Sequence, residues 1–170
     1  FMVDFIKENH YENFVDLVQY DVPITTQILN RYKNFNERVS KNLKIKTVEF
    51  TSTKAVKPYV KPVFDLINKT YTEIYGFTKL TEDEMTEFAE RFLPLLNPKL
   101  IKMITDENGE LLAFVIAMAD LSEAIKNSRG RILPFGWARI LWAMKTSKRL
   151  QLLLGAIHPK YQNKGLDAVL

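Results

Sequence analysis

The chain of 170 residues contains no cysteine. That excludes disulfides, thiolate zinc sites and a cysteine nucleophile together. Its two histidines, His10 and His158, are too few for a multi-histidine metal site. No apolar run is long enough to cross a bilayer, and no signal peptide is visible. The absence of cysteine fits a reducing compartment, so the expected location is the cytoplasm. Charge is nearly balanced: Lys+Arg 24 against Asp+Glu 20 gives +4. That excess is too small to argue for nucleic acid, and no nucleic-acid module is recognisable, so none is expected as a partner. The sequence pI near 9.2 still permits an anionic ligand. There is no internal repeat and no low-complexity tract.

What is present is ordinary for a globular fold with a core, at 46% hydrophobic and 26% charged residues. Both ends read as interior to a longer chain, because Phe1-Met2-Val3-Asp4-Phe5 and Asp167-Ala168-Val169-Leu170 already carry helical patterning. Residues 1–9 predict a helix end, and Val15 to Val22 a short strand stopped by Pro23. A linking helix follows over 24–41. Leu43 to Phe50 alternates as a strand does, and Val56 to Tyr75 has helical spacing, with Gly76 as its stop. Thr81 and Glu84 form a capping box for the next helix. Two apolar runs, Leu100 to Ile104 and Leu111 to Met118, flank an Asn108-Gly109 hairpin signal. Short helical patterns occupy 121–128 and 135–148. Leu150 to Ile157 reads as a buried strand leading to a polar glycine turn and a final helix. The expected fold class is α/β of the α+β type, a largely antiparallel sheet flanked by helices.

The stretch most suggestive of chemistry is Leu153-Leu154-Gly155-Ala156-Ile157-His158-Pro159-Lys160-Tyr161-Gln162-Asn163-Lys164-Gly165-Leu166. A strand runs into a polar turn that opens a helix. Helix starts present unpaired N–H groups, and a glycine there lets a phosphate approach the backbone. Lys160 and Lys164 add positive charge. The plainer reading is that Gly165 serves only the turn and the lysines are solvated.

This segment resembles the acyl-CoA signature of the GNAT acetyltransferase superfamily, Gln/Arg-x-x-Gly-x-Gly/Ala after a strand. Gln162 and Gly165 occupy its fixed positions. Asp167 stands where glycine or alanine is usual, and a carboxylate there would repel a pyrophosphate unless turned away or paired. The element order from Leu43 onward is also similar to that family, with a helical insertion before the signature strand. The first residues, through Glu12 and the strand expected after it, resemble the closing helix and strand of another such unit. The resemblance thus implies three parts: 1–23 closing a preceding unit, 24–41 linking, and 42–170 a GNAT-like acyltransferase domain truncated at its C-terminus.

The resemblance implies acetyl-CoA or another acyl-CoA as cosubstrate and an amine-bearing small molecule as acceptor. The amine would attack the thioester directly. Backbone around Leu154, Gly155, Ala156, Ile157 and His158 would bind the thioester and CoA arm. Gln162, Asn163, Lys164, Gly165, Leu166 and Asp167 would bind the pyrophosphate. No catalytic residue is assigned. His158 has two readings, a base or a surface or backbone-bonded residue. Glu82-Asp83-Glu84 reads as a first helical turn complementing the dipole rather than an acid site. Between Glu123 and Asp167 there is no acidic residue, while Arg131, Arg139, Lys145, Lys148 and Arg149 accompany Trp137 and Trp142. That 131–149 segment could touch an anionic membrane weakly, or dock on the sheet with a solvated basic face. Two other functions stay open: a degenerate GNAT-like binding module, and a peripheral membrane-associated protein.

Overall fold

The computed structural model describes residues 2–131 and 136–170, and the side chains of Asn34, Ser40 and Lys41 are not described. The expectations at Phe1 and Phe135 lie outside these residues. The chain is a mixed α/β fold, as its patterning predicts. Its antiparallel sheet has the order β1 (Lys46–Glu49), β2 (Ile101–Thr105), β3 (Leu111–Ala119), β4 (Leu150–Ile157). Helices α1 (Met2–Glu8) and α2 (Thr26–Leu43) precede β1. Helices α3 (Thr53–Val56), α4 (Val60–Thr70) and α5 (Glu82–Phe92) lie between β1 and β2, while α6 (Ser122–Asn127) and α7 (Gly136–Thr146) lie between β3 and β4.

Strand β3 is apolar along its length because both of its faces are covered. One face carries α4: Val63, Leu66 and Ile67 pack with Ile101, Met103, Phe114 and Ile116. The other carries α2 and the chain's last residues: Val39 packs with Ile104, Leu112, Ala113, Leu166 and Val169. The helix α2 extends to Leu43 because that residue also packs on this second core, so β1 begins later than its alternation predicts. Lys44 (φ 50) makes the left-handed step that stops it.

Local chemistry fixes several boundaries. Thr81 accepts from the N–H of Glu84, whose carboxylate accepts from the Thr81 N–H at 2.8 Å. That backbone bond, then the Thr81 hydroxyl, holds the Glu84 carboxyl below its ordinary pKa. The α4 helix is shorter than predicted, ending at Thr70. Asn68 then ties the following loop back by bonding both the N–H and C=O of Leu80. The hairpin is longer than an Asn-Gly turn requires: Asp106 accepts from the N–H groups of Asn108 and Glu110, and Gly109 takes φ 88.

Two expectations fail. Val15 to Val22 form no strand: they flank the end of β4 across an open space but make no ladder with it, and Asp21 pairs with Arg149 there. Leu17 is 90% exposed. Strand β4 is present but not buried: it is a sheet edge, and Leu152 is 75% exposed.

The side chain of Phe114 is fully enclosed at 0% exposure. Phe114→Ala is therefore expected to cost about 3–5 kcal/mol, and Thr81→Ala about 1 kcal/mol through the lost cap. Urea titrations measure both, and a Phe114→Ala loss no larger than that of Thr81→Ala would contradict this packing.

Candidate functional site

The edge strand β4 sets the geometry. The N–H of His158 donates to the C=O of Leu112 at 2.8 Å. Antiparallel pairing alternates, so Ala156 and Leu154 bond β3 while Gly155 and Ile157 turn their polar groups to the free edge. Their side-chain partners agree. The Tyr71 hydroxyl donates to the C=O of Gly155 at 2.9 Å and accepts from its N–H at 3.3 Å. Gln162 donates to the C=O of Ile157 at 3.2 Å. The register slips between Ile116 and Ala117, leaving Leu153 as an extra residue, a bulge that aims two successive leucines at one side of the sheet.

After His158 the chain makes two 3-10 turns, Pro159–Tyr161 and Leu166–Ala168, and no α-helix is formed within the described residues. The described residues thus hold only a first turn where a helix is expected to open, with the Leu170 N–H donating to the C=O of Leu166 at 3.3 Å. What the turn retains is a run of backbone donors. The N–H groups of Asn163, Lys164, Gly165, Leu166 and Asp167 have no protein acceptor among the described residues. Asn163 (φ 60) and Gly165 (φ 84) are left-handed. Turns of alternating hand gather successive N–H groups into anion-binding concavities.

Gly165 has a structural duty as well. A Cβ there would lie 2.6 Å from the Phe35 ring of α2. Leu166 is a core residue at 0% exposure, so its side chain cannot face a ligand. Ala156 is likewise buried against the α4 side. Lys164 does not line the cleft, and its ammonium sits 5.2 Å over the Tyr161 ring. The cations that do line it are Arg31 and Arg38 of α2, which border an open groove of about 1010 Å³ with Gln162, Asn163, Gly165 and Asp167. These arginines are seven residues apart, two helical turns on one face. That spacing was the available signal, and it went unread. Asp167 borders the groove beside them, so its charge faces the same space.

His158 is buried at 8% exposure, not on the surface. Its Nδ1 accepts from the N–H of Lys160 at 3.2 Å, and its Nε2 lies 2.7 Å from the Lys69 Nζ. Burial, then the Lys69 charge, lowers its pKa; Glu110 opposes them and Lys160 adds to the lowering. Protonation at Nδ1 would set two N–H donors against each other. Glu82 begins α5 and pairs with Lys61, in keeping with its helix-start reading. Helix α7 lies against α6 and β3, yet its Trp137, Leu141 and Trp142 remain 50%, 51% and 70% exposed. No described helix is long and apolar enough to cross a membrane. No group of three or more metal-ligating side chains occurs among the described residues.

No family model matches the chain. It is similar to two curated proteins. One is the bacterial ceramide synthase of Caulobacter vibrioides, 29% identical over 105 residues, 61% of this chain and 27% of that protein. The other is protein YghO of Escherichia coli, 27% identical over 108 residues, 62% of this chain and 27% of that protein. The matched region thus spans about a quarter of the length of each relative.

Because His158 is held neutral, the native state resists protonation there. Stability is expected to be full above the ordinary histidine pKa, about 6.5, and to fall as pH drops below it toward the lowered native value. His158→Gln should flatten that slope in urea titrations run from pH 8 to 5. An unchanged slope would mean that some other group supplies it.

Proposed function

We propose that this module binds an acyl thioester of coenzyme A and takes part in N-acyl transfer to an amine-bearing small molecule. The observation that carries the reading is one juxtaposition. The outward polar groups of Gly155 and Ile157 lead, within a few residues, to the unpartnered amides of Asn163 to Asp167. Strand edges of this kind orient a pantetheine-like arm, and amide runs accept phosphate oxygens. Arg31 and Arg38 supply positive charge at the same groove and offset Asp167. The resemblance of Gln162 to Gly165 to the GNAT signature supports the same ligand. So does the name of the Caulobacter relative, since a ceramide is an N-acylated amine.

In such a transfer the amine nitrogen forms a bond to the thioester carbon as the carbon–sulfur bond breaks. The amine gives up a proton and the departing thiolate gains one, leaving an amide and free CoA. The outward N–H of Ile157 at the β4 edge would steady the oxyanion, that of Gly155 being held by the Tyr71 hydroxyl. The Tyr71 hydroxyl is the proton donor already standing at that edge.

Calorimetric titration with CoA is the direct test. Binding is expected, weakened about tenfold by Arg38→Ala, as for loss of one charge-assisted contact. Asp167→Asn should tighten it. No heat at millimolar CoA would end this reading.

A second reading is favoured by the exposed face of α7. Trp142 and Leu141 stand in solvent within a segment free of acidic residues. We infer weak contact of this helix with an anionic lipid surface. Sedimentation with vesicles containing phosphatidylglycerol should carry the protein down at low salt, and Trp142→Ala should release it. Equal recovery with neutral vesicles would remove this reading.

A further inference from the structure

We propose that the apolar cavity beneath α4 and α5 houses the hydrocarbon tail of a long acyl chain whose carbonyl end lies at the Gly155 edge. This rests on the acyl-thioester reading and names its acyl group. The cavity measures about 290 Å³. Phe64, Phe88 and Phe92 line it with Met103 of the sheet and Leu153 and Leu154 of the bulge. Among its lining side chains only that of Tyr59 carries a polar atom.

Three observations select the occupant. First, the lining offers water almost no hydrogen-bond partners, and a polar guest would be left unpaired. Secondly, the space is open on one side and leaves Phe88 and Phe92 46% and 44% exposed, apolar surface that a hydrocarbon guest would cover. Thirdly, the cavity adjoins the proposed reaction site along the chain, its lining residues being neighbours of Gly155 and Tyr71. Leu154 immediately precedes Gly155, and Ile67, another lining residue, lies one helical turn before Tyr71. An acetyl group needs no such space. The bulge supplies a physical reason for the route, since without the extra residue Leu153 and Leu154 would face opposite sides of the sheet. Leu153 and Leu154 are 43% and 39% exposed, so the wall next to Gly155 is also the side open to an entering chain.

The experiment titrates the whole chain with saturated CoA thioesters of two, four, eight and twelve carbons, kept below micelle formation. Affinity should rise roughly fourfold per added methylene, then level off once the cavity is full. Ala89→Phe, which fills the cavity from α5, should abolish this dependence while leaving acetyl-CoA binding unchanged. If that variant does not fold, Phe92→Ala enlarges the space and should move the plateau to a longer chain; a plateau that stays in place overturns the proposal. Equal affinity for all four thioesters also overturns it, while leaving CoA binding intact. Matched free carboxylates separate the two readings. Chain-dependent binding that is no stronger for the thioesters would uphold the cavity and remove the CoA site.

Discussion

The hydrogen-bond register of β3 with β4 is the constraint on which the candidate site depends. Because β3 is covered on both faces, a slip of one residue would drive Phe114 out of one core and Ala113 out of the other. The register is therefore fixed by packing. Once it is fixed, alternation alone decides that Gly155 and Ile157, and not Ala156, present their polar groups outward. The chemistry available at the edge is thus a consequence of burial elsewhere.

The loop after β4 shows structural and functional demands meeting at one residue. Gly165 is needed for its left-handed backbone and for the close approach of Phe35, whatever ligand the loop holds. A glycine at this position is consequently weak evidence for phosphate binding. The stronger evidence is the set of N–H groups around it that no group among the described residues uses, together with two arginines arriving from α2. The helix read as a linker from sequence is in fact one wall of the groove.

Features decided by neighbouring residues were legible in the sequence. The Thr81–Glu84 cap, the β2–β3 hairpin and the position of β4 all rest on local patterns. Features decided by distant contacts were not. The Tyr71 hydroxyl meets Gly155 across 84 positions of chain, and helical spacing could only place Tyr71 on a helix face. The apolar run of β4 suggested burial because leucine is usually buried, yet the strand is an edge. The apolar residues from Val15 to Val22 had strand propensity but pair with no strand among the described residues. In the signature segment, expected to open a helix, the described residues make a 3-10 turn over Leu166–Ala168.

An open, leucine-rich sheet edge invites a second strand to add to it, which is a route to aggregation. The Tyr71 hydroxyl occupies both backbone groups that an added strand would use at Gly155. The bulge at Leu153 breaks the regular spacing such a strand would need to continue. The two features that shape the ligand edge therefore also keep neighbouring copies of the chain from zipping together along it.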